Sequence, residues 1–387
     1  MQHKKILLSI LLGFSVFITK AQTQSVHDTI PFDIVHNKFI FQAHIDGKPL
    51  RMILDTGGIN ALVADSAEYF GFRALSAHRI ADMNDAIVQT QVGAVTNFRI
   101  GRVLNWNTGR ITLFPPQPFF RDLGVAGTVG GEFFRGVCLT IDRRNRHFII
   151  SYPFRPSNVP RGSAVQMEMG NSFHAIAPVS VGGEMINVLF DTGKSGFLNV
   201  GINDFERLQE KGLVEITHTG EGILFVGVAG IENAVSDKIT TVNIPEITLP
   251  GGKRLLNVGA TVSRQTAATV FGQELLDLGL LVLDYPRSNL YFLPHEDEPT
   301  DVAHLTRRWN TRILPTADGF FMVVATIGET EVEIGDRVWS INGTPLTLDN
   351  FSEMFVLELL EKSENGTAEI MVGDDENQLR KAIIRKI

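Results

Sequence analysis

Cysteine is almost absent from this chain: Cys138 is the only one in 387 residues. An intramolecular disulfide and a thiolate metal cluster are therefore excluded. Within the apolar run of residues 137–141 the thiol reads as a buried structural group rather than a nucleophile. Positive charge is also in short supply. The formal net charge is −8, which argues against nucleic acid and anionic membrane surfaces as partners. No apolar run reaches the roughly 20 residues that a membrane-spanning helix needs. The nearest, residues 6–18, follows Lys4 and Lys5 and leads through Thr19 and Lys20 to Ala21, the layout of an export signal cleaved near Ala21. Its removal takes away three lysines and no acid, so the mature body is more acidic still. The expectation is a protein exported to a bacterial periplasm or secreted, without stable membrane insertion.

Several chemistries lack their motifs. The ten histidines show no His-Glu-x-x-His or comparable metal spacing, and no Gly-x-Ser-x-Gly elbow is present. Gly193-Lys194-Ser195 could end a phosphate loop only with a glycine five residues before Gly193, where Val188 stands. No metal and no cofactor are expected.

What the chain does have is one tripeptide in two matching frames, Asp55-Thr56-Gly57 and Asp191-Thr192-Gly193. Residues 45–57 (IDGKPLRMILDTG) align without gaps on residues 181–193 (VGGEMINVLFDTG), sharing a glycine and an apolar pattern ahead of the aspartate. A second pair follows: residues 128–131 leading to Ile141-Asp142, and residues 269–272 leading to Leu283-Asp284. Asp-Thr-Gly alone is ordinary turn chemistry. Two copies in duplicated frames instead indicate a repeated unit of about 140 residues, giving a two-lobed body with one aspartate from each lobe. Two carboxylates held together cannot both ionise cheaply, and a pair sharing one proton can activate water against a peptide bond.

The coarse pattern is β-rich. Residues 38–45, 50–54, 86–92, 98–103 and 111–114 are short runs of Ile, Val and Phe punctuated by Gly, Asn and Pro. Brief helices are expected at residues 64–70 and 203–211, just after each motif. Proline-bearing stretches at residues 152–162 and 294–301 end the two lobes.

With these motifs in register, residues 32–293 resemble the aspartic peptidases of the retropepsin and pepsin type. The resemblance implies a catalytic dyad of Asp55 and Asp191, with Thr56 and Thr192 bonding across the lobe interface. Gly57 and Gly193 would let backbone amides approach the carboxylates. Both aspartates come from one chain, so dimerisation is not required for the site. The pepsin flap tyrosine has no counterpart, since Tyr69 falls in the short helix, and the flap candidates are the hairpins of residues 85–95 and 220–230. The second is glycine-rich and apolar, as a mobile lid would be and as an edge hairpin equally would be. Lys194 follows the second motif where the family carries a small or hydroxyl residue, and a cation there favours an ionised Asp191.

From about residue 305 the chain changes character. Residues 334–346 (IGDRVWSINGTPL), a helical stretch at 349–362, and terminal strands at 368–372 and 380–387 resemble a PDZ domain of the bacterial, protease-associated kind. That resemblance implies a peptide-carboxylate loop at Gly319, Phe320 and Phe321, with a peptide ligand adding as a β-strand beside the helix.

The expected organisation is thus mainly β: residues 1–21 signal, 22–155 and 156–300 two homologous retropepsin-like β-barrel lobes, and 301–387 a small α+β PDZ-like domain. The expected activity is that of an exported aspartic endopeptidase acting on peptide or protein substrates, with the C-terminal unit as a further peptide- or protein-binding module. The other class is a non-catalytic peptide-binding scaffold that keeps the protease shape.

Overall fold

Short runs of branched and aromatic residues, separated by turn residues, form strands through most of the chain, and the protein is mainly β. A computed structural model describes residues 25–81, 86–153, 162–170, 172–263, 268–375 and 378–387. The export signal expected at residues 1–21, and Asp85 of the first flap candidate, lie outside these.

The first part of the chain forms β1 (Val26–Val35), β2 (Lys38–Ile45), β3 (Lys48–Leu54), β4 (Ala61–Val63), β5 (Arg73–Ala81), β6 (Ile87–Ile100), β7 (Leu104–Phe114), β8 (Gly127–Val129), β9 (Cys138–Asp142) and β10 (His147–Tyr152), with the short helices α1 (Ala64–Ala67) and α2 (Pro118–Leu123). The middle part forms β11 (Val165–Gln166), β12 (Glu168–Met169), β13 (Ala175–Val181), β14 (Glu184–Phe190), β15 (Leu198–Gly201), β16 (Glu215–Gly222), β17 (Asp237–Thr248), β18 (Arg254–Ser263), β19 (Thr269–Phe271), β20 (Gly279–Asp284), β21 (Asn289–Pro294) and β22 (Thr300–Asp301), with α3 (Ile202–Glu210). The last part forms β23 (Thr311–Pro315), β24 (Phe321–Ile327), β25 (Arg337–Ile341), β26 (Thr344–Pro345), β27 (Thr367–Val372) and β28 (Arg380–Arg385), with α4 (Glu353–Glu361) between β26 and β27.

The same local construction occurs twice. A two-residue loop, Asp46-Gly47, joins β2 to β3, and Gly182-Gly183 joins β13 to β14; all four residues have positive φ, the conformation that matches the twist of a tight hairpin. This is why the two frames share a glycine ahead of the aspartate. The hairpin then fixes the register of the outgoing strand. Leu54 pairs in parallel with Val129 of β8, and Phe190 in parallel with Phe271 of β19. In both places the next strand returns antiparallel to that partner, β4 on β8 and β15 on β19.

The second pair of duplicated segments meets at a seam. β9 and β20 pair antiparallel, with Ile141 opposite Leu281 and Cys138 opposite Asp284, so strands of both parts run through one sheet. Arg143 reinforces the junction by donating to Asp277 at 2.7 Å and to Gln273 at 3.0 Å. Buried apolar residues from Ile30 to Val302 form one continuous core across it. Residues 300–306 still belong to this body: β22 pairs with β18, Val302 is in the core, and Thr306 accepts the Gly259 amide at 3.1 Å. The last unit builds its own core from residues such as Ile313, Phe321, Val356, Leu360 and Ile370.

Three expected elements differ in extent. The helix expected at residues 64–70 stops at Ala67, and the chain turns out through Gly71 at φ +66°. The two strands expected at 86–92 and 98–103 are one continuous strand, β6, whose pairing with β7 omits Asn97, at φ +50°, and Asn107 while the register stays unchanged. The helix expected at 349–362 begins only at Glu353, after a 3₁₀ turn at Leu348–Asn350. Among the described residues no helix is long and apolar enough to cross a membrane.

Candidate active site

The parallel pairings deliver Asp55 and Asp191 in equivalent fashion. The Asp55 amide donates to the Val129 carbonyl, and the Asp191 amide to the Phe271 carbonyl, each at 2.9 Å. Both chains then turn, and the two turns interlock. The Thr56 hydroxyl donates to the Phe190 carbonyl at 2.7 Å and accepts the Thr192 amide at 3.0 Å. Thr192 reciprocates, donating to the Leu54 carbonyl at 2.8 Å and accepting the Thr56 amide at 3.0 Å. Both threonines are buried, so these four bonds are shielded from water and expensive to leave unmade.

The interlock brings the carboxyl groups together. A Cβ placed on Gly57 would lie 2.3 Å from Asp191 Cγ, and one on Gly193 would lie 2.2 Å from Asp55 Oδ1. No residue but glycine fits either position without moving the opposite carboxylate. Each carboxyl thus lies against the glycine of the other turn and within reach of its counterpart. Burial, then the charge and hydrogen-bonding reach of Asp191, raise the Asp55 carboxyl well above the usual carboxylate range; Lys38 and the Gly57 amide oppose them. Asp191 Oδ1 accepts the Gly193 amide at 2.7 Å and the Lys194 amide at 3.2 Å.

Two lysines flank the pair. Lys194 supports Asp191 through its backbone, while its ammonium is turned to the Ser195 carbonyl at 3.1 Å. Burial, followed by the nearby Arg308 charge, pulls that ammonium down to about 8, against the attraction of Asp191 and Glu274. Lys38 of β2 was not singled out by sequence. Its ammonium donates to the Gly193 carbonyl, lies 5.7 Å from the Phe119 ring centroid, and is within electrostatic reach of Asp55, Asp191 and Glu353. Burial lowers its pKa, partly offset by those three carboxylates. Lys38 thus bonds the second turn from outside the motif and places a cation at the pair.

The surroundings of the aspartates are apolar on one side. Ile53, Ala61, Phe114, Phe120 and Leu123 of the first part form a cluster with Met354 of α4, and Ile59, Ile80, Phe119, Val228 and Leu357 pack against it. The flap candidates differ from expectation here. The first is a long hairpin of β5 and β6, of which residues 86–95 supply only the outgoing arm. The second is neither a free lid nor a free edge. Gly220–Gly222 pairs antiparallel with Ala325–Ile327 of β24, the Ile223 amide continues to the Val324 carbonyl at 2.8 Å, and Gln117 donates to the Val228 carbonyl at 2.8 Å. Glycine at 220 and 222 lets the two backbones approach: a Cβ on Gly220 would meet the Thr326 carbonyl oxygen at 1.9 Å.

Gly319, Phe320 and Phe321 lie at the turn into β24. Gly319 has φ +81°, its amide donates to the Thr316 carbonyl at 3.1 Å, and the Phe320 carbonyl accepts the Thr316 amide at 2.9 Å. The Gly319 amide and the Phe320 carbonyl are thus engaged within the turn itself. β24 has β23 along one edge, and β25 followed by β16 along the other. Compared with known proteins, the chain matches no family model and no curated protein.

Proposed function

We propose that this chain is an exported, single-chain aspartic endopeptidase, built from two homologous retropepsin-like lobes and a C-terminal PDZ-like unit. The observation that carries the reading is the approach of Asp55 and Asp191 across two interlocked Asp-Thr-Gly turns, each carboxyl lying against the glycine of the other turn. In this mechanism the pair holds one proton. The ionised member, as general base, takes a proton from a water lying between the carboxyls, and the water oxygen attacks the peptide carbonyl. The protonated member polarises that carbonyl and stabilises the charge that develops on its oxygen. The gem-diol then collapses as a proton passes to the leaving nitrogen. The proton and its titration belong to the pair, not to either aspartate alone. Lys38 adds a fixed positive charge that limits how far the pair is pushed upward.

Cleavage of an unstructured peptide library by the mature chain, compared with Asp55→Asn and Asp191→Asn, tests this. Turnover is expected in the wild type and in neither variant. Turnover surviving either change sinks the mechanism. The second reading, a peptide-binding scaffold without catalysis, is favoured by the two lysines at the pair, which are atypical neighbours for carboxyls that must share a proton. It predicts peptide binding with no cleavage by any form. The C-terminal unit is proposed to act on the lobes, through its pairing with β16, rather than as a carboxylate-binding module at residues 319–321.

A further inference from the structure

The helix α4 has two apolar faces. Val356 and Leu360, one turn apart, point into the core of the last unit. Met354 and Leu357, on another side, leave that unit and join the apolar cluster next to Asp55. Ile53 of that cluster lies two residues before Asp55, Ile59 lies four after it, and the Phe119 ring packs beneath the Lys38 ammonium that bonds the Gly193 carbonyl. Ile80 of the first hairpin and Val228 of the segment after β16 pack against the same cluster. Met354 and Leu357 therefore share one apolar cluster with residues flanking Asp55 and with both flap candidates.

Polar contacts hold α4 there. Ser352, which caps the helix by accepting the Met354 amide, donates to Asp122 of α2 at 2.7 Å. Glu353 pairs with Arg312 at 2.9 Å, and Arg312 also donates to the Ile223 and Leu224 carbonyls. Glu358 lies 3.5 Å from His36, in the turn between β1 and β2. Glu353 also faces Lys38 electrostatically, so the helix meets both the apolar and the charged side of the site.

We propose that α4 is the resident occupant of the substrate groove, that Met354 and Leu357 hold the places of substrate side chains, and that a peptide must displace the helix to reach Asp55 and Asp191. This rests on the dyad reading for its consequence and on packing alone for its geometry. An occupied groove lowers apparent affinity in proportion to the fraction of molecules in which it is open. The other face of α4 is part of the core of the last unit, so displacement carries that unit with the helix and parts the pairing of β16 with β24.

A reversible tether tests it. In the full mature chain, Ser352→Cys with Asp122→Cys replaces the 2.7 Å hydrogen bond by a disulfide, closure being verified by mass under non-reducing conditions. The probe is an apolar hexapeptide with a hydroxyethylene group in place of its central amide, and binding is read by titration calorimetry. The oxidised protein is expected to bind at least tenfold more weakly than the reduced protein. Met354→Asp with Leu357→Asp is expected to bind several-fold more tightly than wild type, and covers the case in which the tether fails to close. Equal affinity in the oxidised and reduced forms, or no binding to any form, overturns the proposal. Binding that follows this pattern while no form cleaves the matching amide peptide upholds the occupancy and overturns the dyad reading.

Discussion

The hydroxyls of Thr56 and Thr192 each accept the backbone amide of the other while donating to the carbonyl just before the opposite aspartate. Thr56→Val strands the Phe190 carbonyl and the Thr192 amide in a dry interior, at about 1–3 kcal/mol for each unmet group. Urea denaturation is expected to show a loss of about 2–5 kcal/mol, with Thr56→Ser close to wild type. A Ser variant as unstable as Val would show that the methyl group, not the bonding, matters.

Gly57 offers a sharper probe of the carboxyl geometry. In Gly57→Ala the new methyl would have to displace Asp191 Cγ from 2.3 Å. A displacement on the order of 1 Å costs roughly a hundredfold in rate, and that is the expected fall in kcat for peptide cleavage. Gly136→Ala is the control, since a Cβ there meets nothing within 4 Å, and it should keep full activity.

Lys38 sets the pH range. Its charge pulls the Asp55 carboxyl down, so removing it lets that carboxyl rise further. The proton of the pair is then lost at higher pH, and Lys38→Met is expected to move the alkaline limb of kcat to higher pH, while Lys38→Arg leaves it near the wild-type position. A uniform drop in kcat with an unmoved limb would assign Lys38 only the bond to Gly193.

The pair also burdens the fold in a pH-dependent way. Because the folded Asp55 carboxyl lies above its unfolded value, its contribution to stability is fully present below the ordinary carboxylate pKa. It is lost as pH rises through the raised folded value. Asp55→Asn removes that loss. Melting temperatures should show the variant gaining on wild type as pH rises above the ordinary carboxylate range, and parallel curves would contradict it.

Much of the site was legible because it is local and repeated. The Asp-Thr-Gly turns, the shared hairpin glycines Gly47 and Gly183, and the paired later segments each follow from a few adjacent residues, so duplication doubled the signal. Lys38 was not legible. Its strand is legible at residues 38–45, but nothing there marks the lysine itself, which reaches Gly193 only because the second part of the chain folds against the first. The docking of α4 had a signal that could have been read: residues 354–360 are apolar at Met354, Phe355, Val356, Leu357, Leu359 and Leu360, too many for one face of a helix. A helix apolar on more than one side needs more than one partner. The clamp on Gly220–Gly222 was hidden for a different reason, since glycines that admit another backbone look the same in sequence as glycines that free a loop.

The seam between β9 and β20 bears on how the chain can be made. Until Leu281–Asp284 has emerged from the ribosome, the edge of β9 at residues 138–141 has no neighbour, and an uncovered apolar strand edge recruits other chains. The first part of the chain lacks one strand of its own sheet until then. A truncated chain ending near residue 155 would present that edge permanently, so self-association is built into any attempt to produce that part in isolation.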